Sequence, residues 1–362
     1  MLKLDESKHY IQIDIIKGLA IIAVITLHVL PGNLAKIPLS IFTIEQAVPI
    51  FLVIMGLNAA MSFKRRGYIN LSQIYNTSYI KSRFKRLLYP FIFIFILSAI
   101  LGLIFKGNIY MGFLSILGYL PLSGPGNYFV SIVFQFVFTF PILYCLYKKN
   151  PKFTLVLSFV LTFVFEILAN QIPVLENNSY LYKACILRYL FIIALGVWTL
   201  DNFDINSLKT VFKRKLIIVG LIVSVVYMVS ISVFNWNFIH FQAAWQPRNV
   251  LSFFYPLTIF LVGLRYLPLV SEKISGLFGF IGRASYHIFL VQIIVFGAGL
   301  SMASTIEEFG LQHIYGVTSL ISNIIIMTVL GSLFFILEIK FKEYISKKII
   351  QKPIFDISKI FH

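Results

Sequence analysis

The sequence predicts an all-α protein, a polytopic membrane helix bundle of about ten transmembrane helices. Three observations carry that expectation. Hydrophobic residues make up 59% of the 362 positions and charged residues only 12%, well below the share found in soluble domains. The apolar residues fall in blocks of about 20, the length that crosses a bilayer as a helix. Lys and Arg gather between those blocks, on alternate sides.

In chain order the blocks are 13–31, 41–63, 86–106, 127–147, 153–170, 183–200, 214–234, 249–266, 277–301 and 316–339. Blocks 183–200 and 249–266 are among the shortest, and "MGFLSILGYL" at 111–120 has the composition of a further half-helix. With the N-terminus inside, 25 of the 31 Lys and Arg residues fall in inner segments and 4 in outer ones, namely Lys36, Lys106, Lys183 and Arg248. Lys17 and Arg188 lie within spans. That bias predicts both termini in the cytoplasm and a multi-pass protein of the plasma membrane. The first block ends in "HVLPGN", without the small-x-small pattern of signal cleavage, so it reads as a span. No segment outside the bundle is long enough for a soluble domain. The expected division is a membrane unit at 1–340 and a tail at 341–362. The tail, "FKEYISKKIIQKPIFDISKIF", alternates Lys with Ile and Phe, as a basic amphipathic segment on the inner leaflet does.

The net charge of +17 does not mark a nucleic-acid binder. The basic residues sit at the ends of apolar blocks, with no basic stripe or RNA-binding motif. Cys145 and Cys185 lie inside apolar blocks without a ligand at metal spacing, so no metal site is expected. There is no Gly-x-Ser-x-Gly elbow, phosphate-binding P-loop, dinucleotide fingerprint or His-Glu-x-x-His motif. Internal repeats are not evident, which weighs against an inverted-repeat transporter.

Polar residues inside spans need a reason, because burying them in lipid is costly. In "IDIIKGLAIIAVITLHVL" (13–30), Asp14 and Lys17 are three apart and share a helical face. Lys17 and His28 are eleven apart, close to three turns, so they share a face about 16 Å apart along the axis. Lys17 suits snorkelling with a local ion pair as well as a site. His28 lies deep enough to serve an interhelical hydrogen bond or general base catalysis. In "YIKSRFKRLLYP" (79–90), Arg83 and Arg86 face one way at the inner boundary. They fit either topological anchoring or a clamp on a phosphorylated ligand. Glu166 and Arg188 lie toward the outer side of neighbouring spans, where pairing and acceptor binding are both open. "PLSGPGNYFV" (121–130) makes a tight approach to a helix N-terminus, a capped turn or an anion site, and carries Asn127 and Tyr128. His287 reads as a boundary residue rather than a catalytic one.

Together these segments resemble the acyltransferase type 3 family, integral-membrane enzymes that O-acylate cell-surface glycans and lipids. The first segment is similar to the family's Asp-x-x-Arg-Gly start with His ten residues beyond, with Lys17 in place of Arg and His28 in register. "AVPIFLVIMGLNAAM" resembles Phe-Phe-x-x-Ser-Gly, with Met55 for Ser and Gly56 kept. "RFKRLLYP" matches Arg-x-x-Arg with a following Pro at Arg83, Arg86 and Pro90. "GPGNYFVSIVFQFVFTFPIL" is similar to the Tyr- or Trp-led span ending in Phe-Pro. "IGRASYHIFLVQ" resembles Gly-x-x-Ser-Tyr-x-Ile-Tyr-Leu-x-His, with Gln292 at the final position. The resemblance implies acyl transfer, chiefly of acetyl, from cytoplasmic acyl-CoA to a hydroxyl of a cell-envelope polysaccharide or glycolipid. It implies His28 as the catalytic base, Arg83, Arg86 and Lys17 on the donor, and Glu166, Arg188, Asn127 and Tyr128 on the acceptor side. Acyl-CoA enters as a co-substrate and no permanently bound cofactor is implied. Expected partners are a glycan or lipid-linked saccharide and membrane lipids, not nucleic acid. The alternative is an exporter subunit without acyl transfer.

Overall fold

A computed structural model describes residues 9–30, 38–107, 109, 111–203, 215–236, 241, 247–267, 271–300 and 315–350. All regular structure among them is helical. The longer helices are α1 (Ile11–Val29), α2 (Ala47–Arg65), α3 (Thr77–Lys106), α4 (Tyr128–Lys149) and α5 (Pro151–Leu168). They continue as α6 (Leu190–Asn202), α7 (Lys215–Ser232), α8 (Phe254–Tyr266), α9 (Glu272–Gly297) and α10 (Tyr315–Ile350). Eight of them are long and apolar enough to cross a membrane among the described residues: all except α6 and α8. Eight of the ten expected blocks are therefore α-helices of spanning length among the described residues.

The departures are local and have visible causes. The segment 183–200 is not one helix. A short helix Ser179–Ala184 ends at an extended Cys185, a 3-10 turn Ile186–Tyr189 follows, and only then does α6 begin. The segment 249–266 likewise opens with a 3-10 turn, Val250–Ser252, before α8. The third helix starts at Thr77, nine residues before its apolar block, because the Asn76 side chain caps it by accepting from Tyr79 N–H at 2.7 Å. "MGFLSILGYL" contributes one four-residue turn, Phe113–Ile116, rather than a half-helix. Helix α10 runs on through Ile350, so the start of the tail continues the last span. Lys36 and the tail beyond Ile350 lie outside the described residues.

Glycines set the closest helix pairs. Apolar helices gain no hydrophobic drive from leaving lipid, so close backbone packing is what holds them. A Cβ on Gly18 would lie 2.3 Å from the Phe278 carbonyl oxygen, and one on Gly282 only 1.7 Å from that of Asp14, which locks α1 to α9. Gly56 meets the Ile193 carbonyl and Gly196 that of Val53, each with room for hydrogen alone, which locks α2 to α6. Gly331 seats α10 on Ile288 of α9 in the same way.

Breaking α6 and α8 frees backbone groups that lipid cannot satisfy. Polar side chains of α4 and α5 take them. Gln135 donates to the Ala184 carbonyl at 2.6 Å and accepts from Ile186 N–H at 3.1 Å. Thr162 donates to the Leu187 carbonyl at 3.0 Å and accepts from Phe191 N–H at 3.3 Å. Glu166 accepts from Val250 N–H at 3.1 Å.

The locked α1–α9 contact makes a direct prediction. Gly282→Val should abolish the monodisperse peak of detergent-extracted protein on size exclusion. Gly276→Ala, at an exposed position with nothing within 4 Å, should leave that peak intact and keep or slightly raise the melting temperature.

Candidate functional site

Two polar regions lie at opposite ends of α1. At its N-terminal end opens a cavity of about 790 Å³. Its mouth is basic: Lys17, Arg65, Arg83, Arg86, Arg283 and Lys342 come to it from α1, α2, α3, α9 and α10. Lys17 is held there by Asp14, Nζ to Oδ1 at 2.6 Å, and Asp14 also bonds His9 at 2.9 Å. Arg83 lies with its guanidinium 5.4 Å from the Tyr79 ring centre, and the Tyr79 hydroxyl donates to the Val137 carbonyl on α4 at 3.0 Å. The guanidinium is therefore braced by a ring that is itself braced. Deeper in, the lining turns apolar, through Ile21, Val24, Val48 and Phe51 to Phe129 and Phe289.

The second region surrounds His28, in the last turn of α1. Its ring packs edge-on to Phe296 of α9 at 6.2 Å. Against it runs the tight loop 120–127. Gly126 has a left-handed φ of +89° and so fits glycine best. A Cβ there would sit 3.5 Å from His28 Nε2 on one side and 3.2 Å from the Phe289 ring on the other. The loop is clamped from three helices. Leu122 N–H donates to Ser98 Oγ of α3 at 2.8 Å, Ser131 of α4 donates to the Leu117 carbonyl, and Gly124 presses on the Ile293 carbonyl of α9.

Around this loop lie the remaining candidates. Asn127 is buried, and neither polar atom of its side-chain amide has a partner among the described residues. Tyr128 is buried within electrostatic range of Tyr189, Arg188 and Arg248. Arg188 is fully buried and pairs with Glu166 at 3.4 Å. It also donates to the Tyr189 hydroxyl at 3.2 Å and the Arg248 carbonyl at 3.0 Å, and lies over the Tyr182 ring at 4.6 Å. The pair joins α5 to both broken segments. Arg248 in turn meets Glu45 at 3.2 Å, and the charges of Arg248 and Lys183 reach His28.

The predicted residues thus fall into two groups. Lys17, Arg83 and Arg86 meet in one cavity. His28 lies beside the loop that ends at Asn127; Tyr128 opens α4 just after it, within electrostatic range of Arg188, which pairs with Glu166, and none of these lines that cavity. Sequence reasoning missed Arg65, Arg283 and Lys342, whose positions at span ends made them look like topology charges alone. It also missed that His287 is buried, lines the cavity and bonds Glu338, which Lys342 also pairs. His287 and Glu338 are 51 residues apart, so no local spacing could have joined them. Gln292 is fully buried with both polar side-chain atoms unpartnered among the described residues. No group of three or more His, Cys, Asp or Glu fit to hold a metal occurs among the described residues.

A bundle of membrane-crossing helices around a cavity lined by basic residues at one end defines the class: a polytopic helical membrane protein. The family model for the acyltransferase domain, type 3, matches residues 10–337, and the chain belongs to that family. It is a membrane O-acyltransferase. No curated protein and no solved structure shows significant similarity to it.

The Glu166–Arg188 pair gives an asymmetric prediction. Arg188→Met strands a buried carboxylate and should cost about 3–5 kcal/mol of stability. Glu166→Gln leaves the Arg188 charge without its carboxylate, but it keeps an acceptor for Val250 N–H and the guanidinium keeps the Tyr189 hydroxyl and the Arg248 carbonyl, so it should cost less. Thermal unfolding in detergent should rank wild type, Glu166→Gln and Arg188→Met in falling order.

Proposed function

We propose that the chain moves an acyl group, chiefly acetyl, from cytoplasmic acyl-CoA to a hydroxyl of a cell-envelope polysaccharide or glycolipid at the outer face of the plasma membrane. The observation that carries this reading is one cavity. Two helices, α1 and α3, bring Lys17, Arg83 and Arg86 to its basic mouth, and its lining reaches Phe289, which packs against Gly126 beside His28. The nucleotide phosphates of the donor sit at the mouth, where guanidinium groups match phosphate oxygens in charge and geometry. The mouth then faces the cytoplasm, as do both termini. The pantetheine arm follows the apolar lining toward Phe129 and Phe289.

At the far end, His28 Nε2 takes the proton of the acceptor hydroxyl. The hydroxyl oxygen bonds the thioester carbonyl carbon, the carbon–sulfur bond breaks, and coenzyme A leaves as the thiolate. Asn127 offers an unpartnered amide to the developing oxyanion, and Tyr128, Glu166 and Arg188 shape the acceptor side.

Labelled acetyl-CoA mixed with purified protein and envelope extract tests the reading. Wild type should label a glycan or lipid, and His28→Ala should lower the rate by at least about 10²-fold with folding intact. Retained activity in His28→Ala would remove the base assignment. Label trapped on the protein would replace direct transfer by an acyl-enzyme route. The Arg83→Ala, Arg86→Ala double variant should raise the donor KM, with a smaller change in kcat. An unchanged KM would count against the phosphate clamp.

A further inference from the structure

The apolar part of the cavity has a feature that donor binding alone does not require. Val24, the last α1 residue in the lining, lies four residues before His28, about 6 Å of helix rise. Aromatic rings line the cavity with Val24. Phe129 of α4 and Phe289 of α9 meet edge to face at 5.3 Å, and Phe51 of α2 flanks Phe129 at 6.3 Å. Past Phe289 lies Gly126, where a Cβ would sit 3.2 Å from the Phe289 ring and 3.5 Å from His28 Nε2. Phe129 and Phe289 are both buried, and both α4 and α9 are fixed against neighbours, α9 through the glycine contacts to α1 and α10. The rings cannot retreat by sliding the helices.

We propose that the Phe129–Phe289 pair is the acyl-length stop of the donor cavity and restricts the enzyme to short acyl groups. The inference rests on the donor reading above. A thioester anchored at the basic mouth runs its acyl end onto these rings, and each added methylene must displace part of an aromatic side chain from a packed site. In hydrophobic pockets one methylene of misfit or fit changes discrimination by about 10- to 200-fold. Phe289 carries most of the selection, because it packs against Gly126, where even a Cβ would sit 3.2 Å from its ring. Phe129 sets its tilt.

The test is binding of acetyl-, butyryl- and hexanoyl-CoA, with free coenzyme A as reference, to purified full-length protein in detergent by calorimetry. No acceptor is needed. Wild type should bind acetyl-CoA and lose at least about tenfold in affinity by butyryl-CoA. Phe289→Ala should bind butyryl-CoA about as well as acetyl-CoA, while its affinity for free coenzyme A stays within about threefold of wild type. Phe289→Leu and Phe129→Leu are milder variants that should shift selectivity in the same direction if Phe289→Ala fails to fold. Equal binding of all three thioesters by wild type overturns the stop, and so does wild-type selectivity retained in folded variants of both rings. Failure of wild type to bind coenzyme A in any form is a different result, and it removes the donor reading itself.

Discussion

The buried pair of Glu166 and Arg188 is the constraint on which the His28 end depends. Two segments there are non-helical at a depth where water cannot satisfy backbone groups. Glu166 accepts from Val250 N–H in one of them, and Arg188 bonds the Arg248 carbonyl beside it. Arg188 itself belongs to the 3-10 turn of the other broken segment. An ion pair taken out of water gains little net stability on its own, since desolvation opposes the Coulomb attraction. What it supplies here is a fixed arrangement. It ties α5 to the starts of α6 and α8 and so holds Tyr128, Tyr189 and Arg248 in register around the loop that meets His28.

The basic end depends on a different kind of contact. Cationic side chains from five helices repel one another, offset in part by Asp14 on Lys17 and by Glu338 on His287 and Lys342. The backbone-to-backbone contacts of α1 with α9 and of α9 with α10 fix that geometry, with glycines at Gly18, Gly282 and Gly331. Asp14 then serves twice. Its carbonyl presses on Gly282 and its carboxylate holds Lys17 at the cavity. A lysine is a point charge on a flexible stem, and the 2.6 Å bond to Asp14 supplies the orientation that a guanidinium fork would carry in its own shape.

Much of the fold was legible because bilayer length is written directly into composition. All ten apolar blocks contain a helix, and the two that break are among the shortest. The breaks themselves were not legible. They follow from Gln135, Thr162 and Glu166 on other helices, and nothing within 183–200 announces that its backbone groups have partners elsewhere. The site was half legible. Helical spacing put Lys17 and His28 on one face, and the Arg83–Arg86 spacing put two guanidinium groups together. The Glu166–Arg188 pairing was foreseen as one of two options, and the geometry shows the contact. The cavity was not visible at all, because Arg65, Arg283, Lys342 and His287 converge on it through tertiary packing. Their one sequence signal, charge at a span boundary, is the same signal that topology alone produces.

Helix α1 connects the two ends, and its rigidity has a consequence for chemistry. Lys17 and His28 are separated by eleven residues of unbroken helix, so their spacing along the axis is set by the helix rise and not by side-chain choice. Packing against α9 through Gly18 and Gly282 removes the remaining freedom to tilt or slide. On the proposed reading, a donor held at Lys17, Arg83 and Arg86 therefore presents its thioester at a depth the protein cannot adjust by small backbone shifts. The adjustable elements between donor and base are side chains, and at that depth they are Phe129 and Phe289. Bulky apolar rings there also keep water from running between the cavity and His28, which strengthens any charge interaction made at the base. On that reading the helix is a fixed ruler, and the two rings are the part of the path that can turn to let the thioester and the acceptor hydroxyl meet at His28.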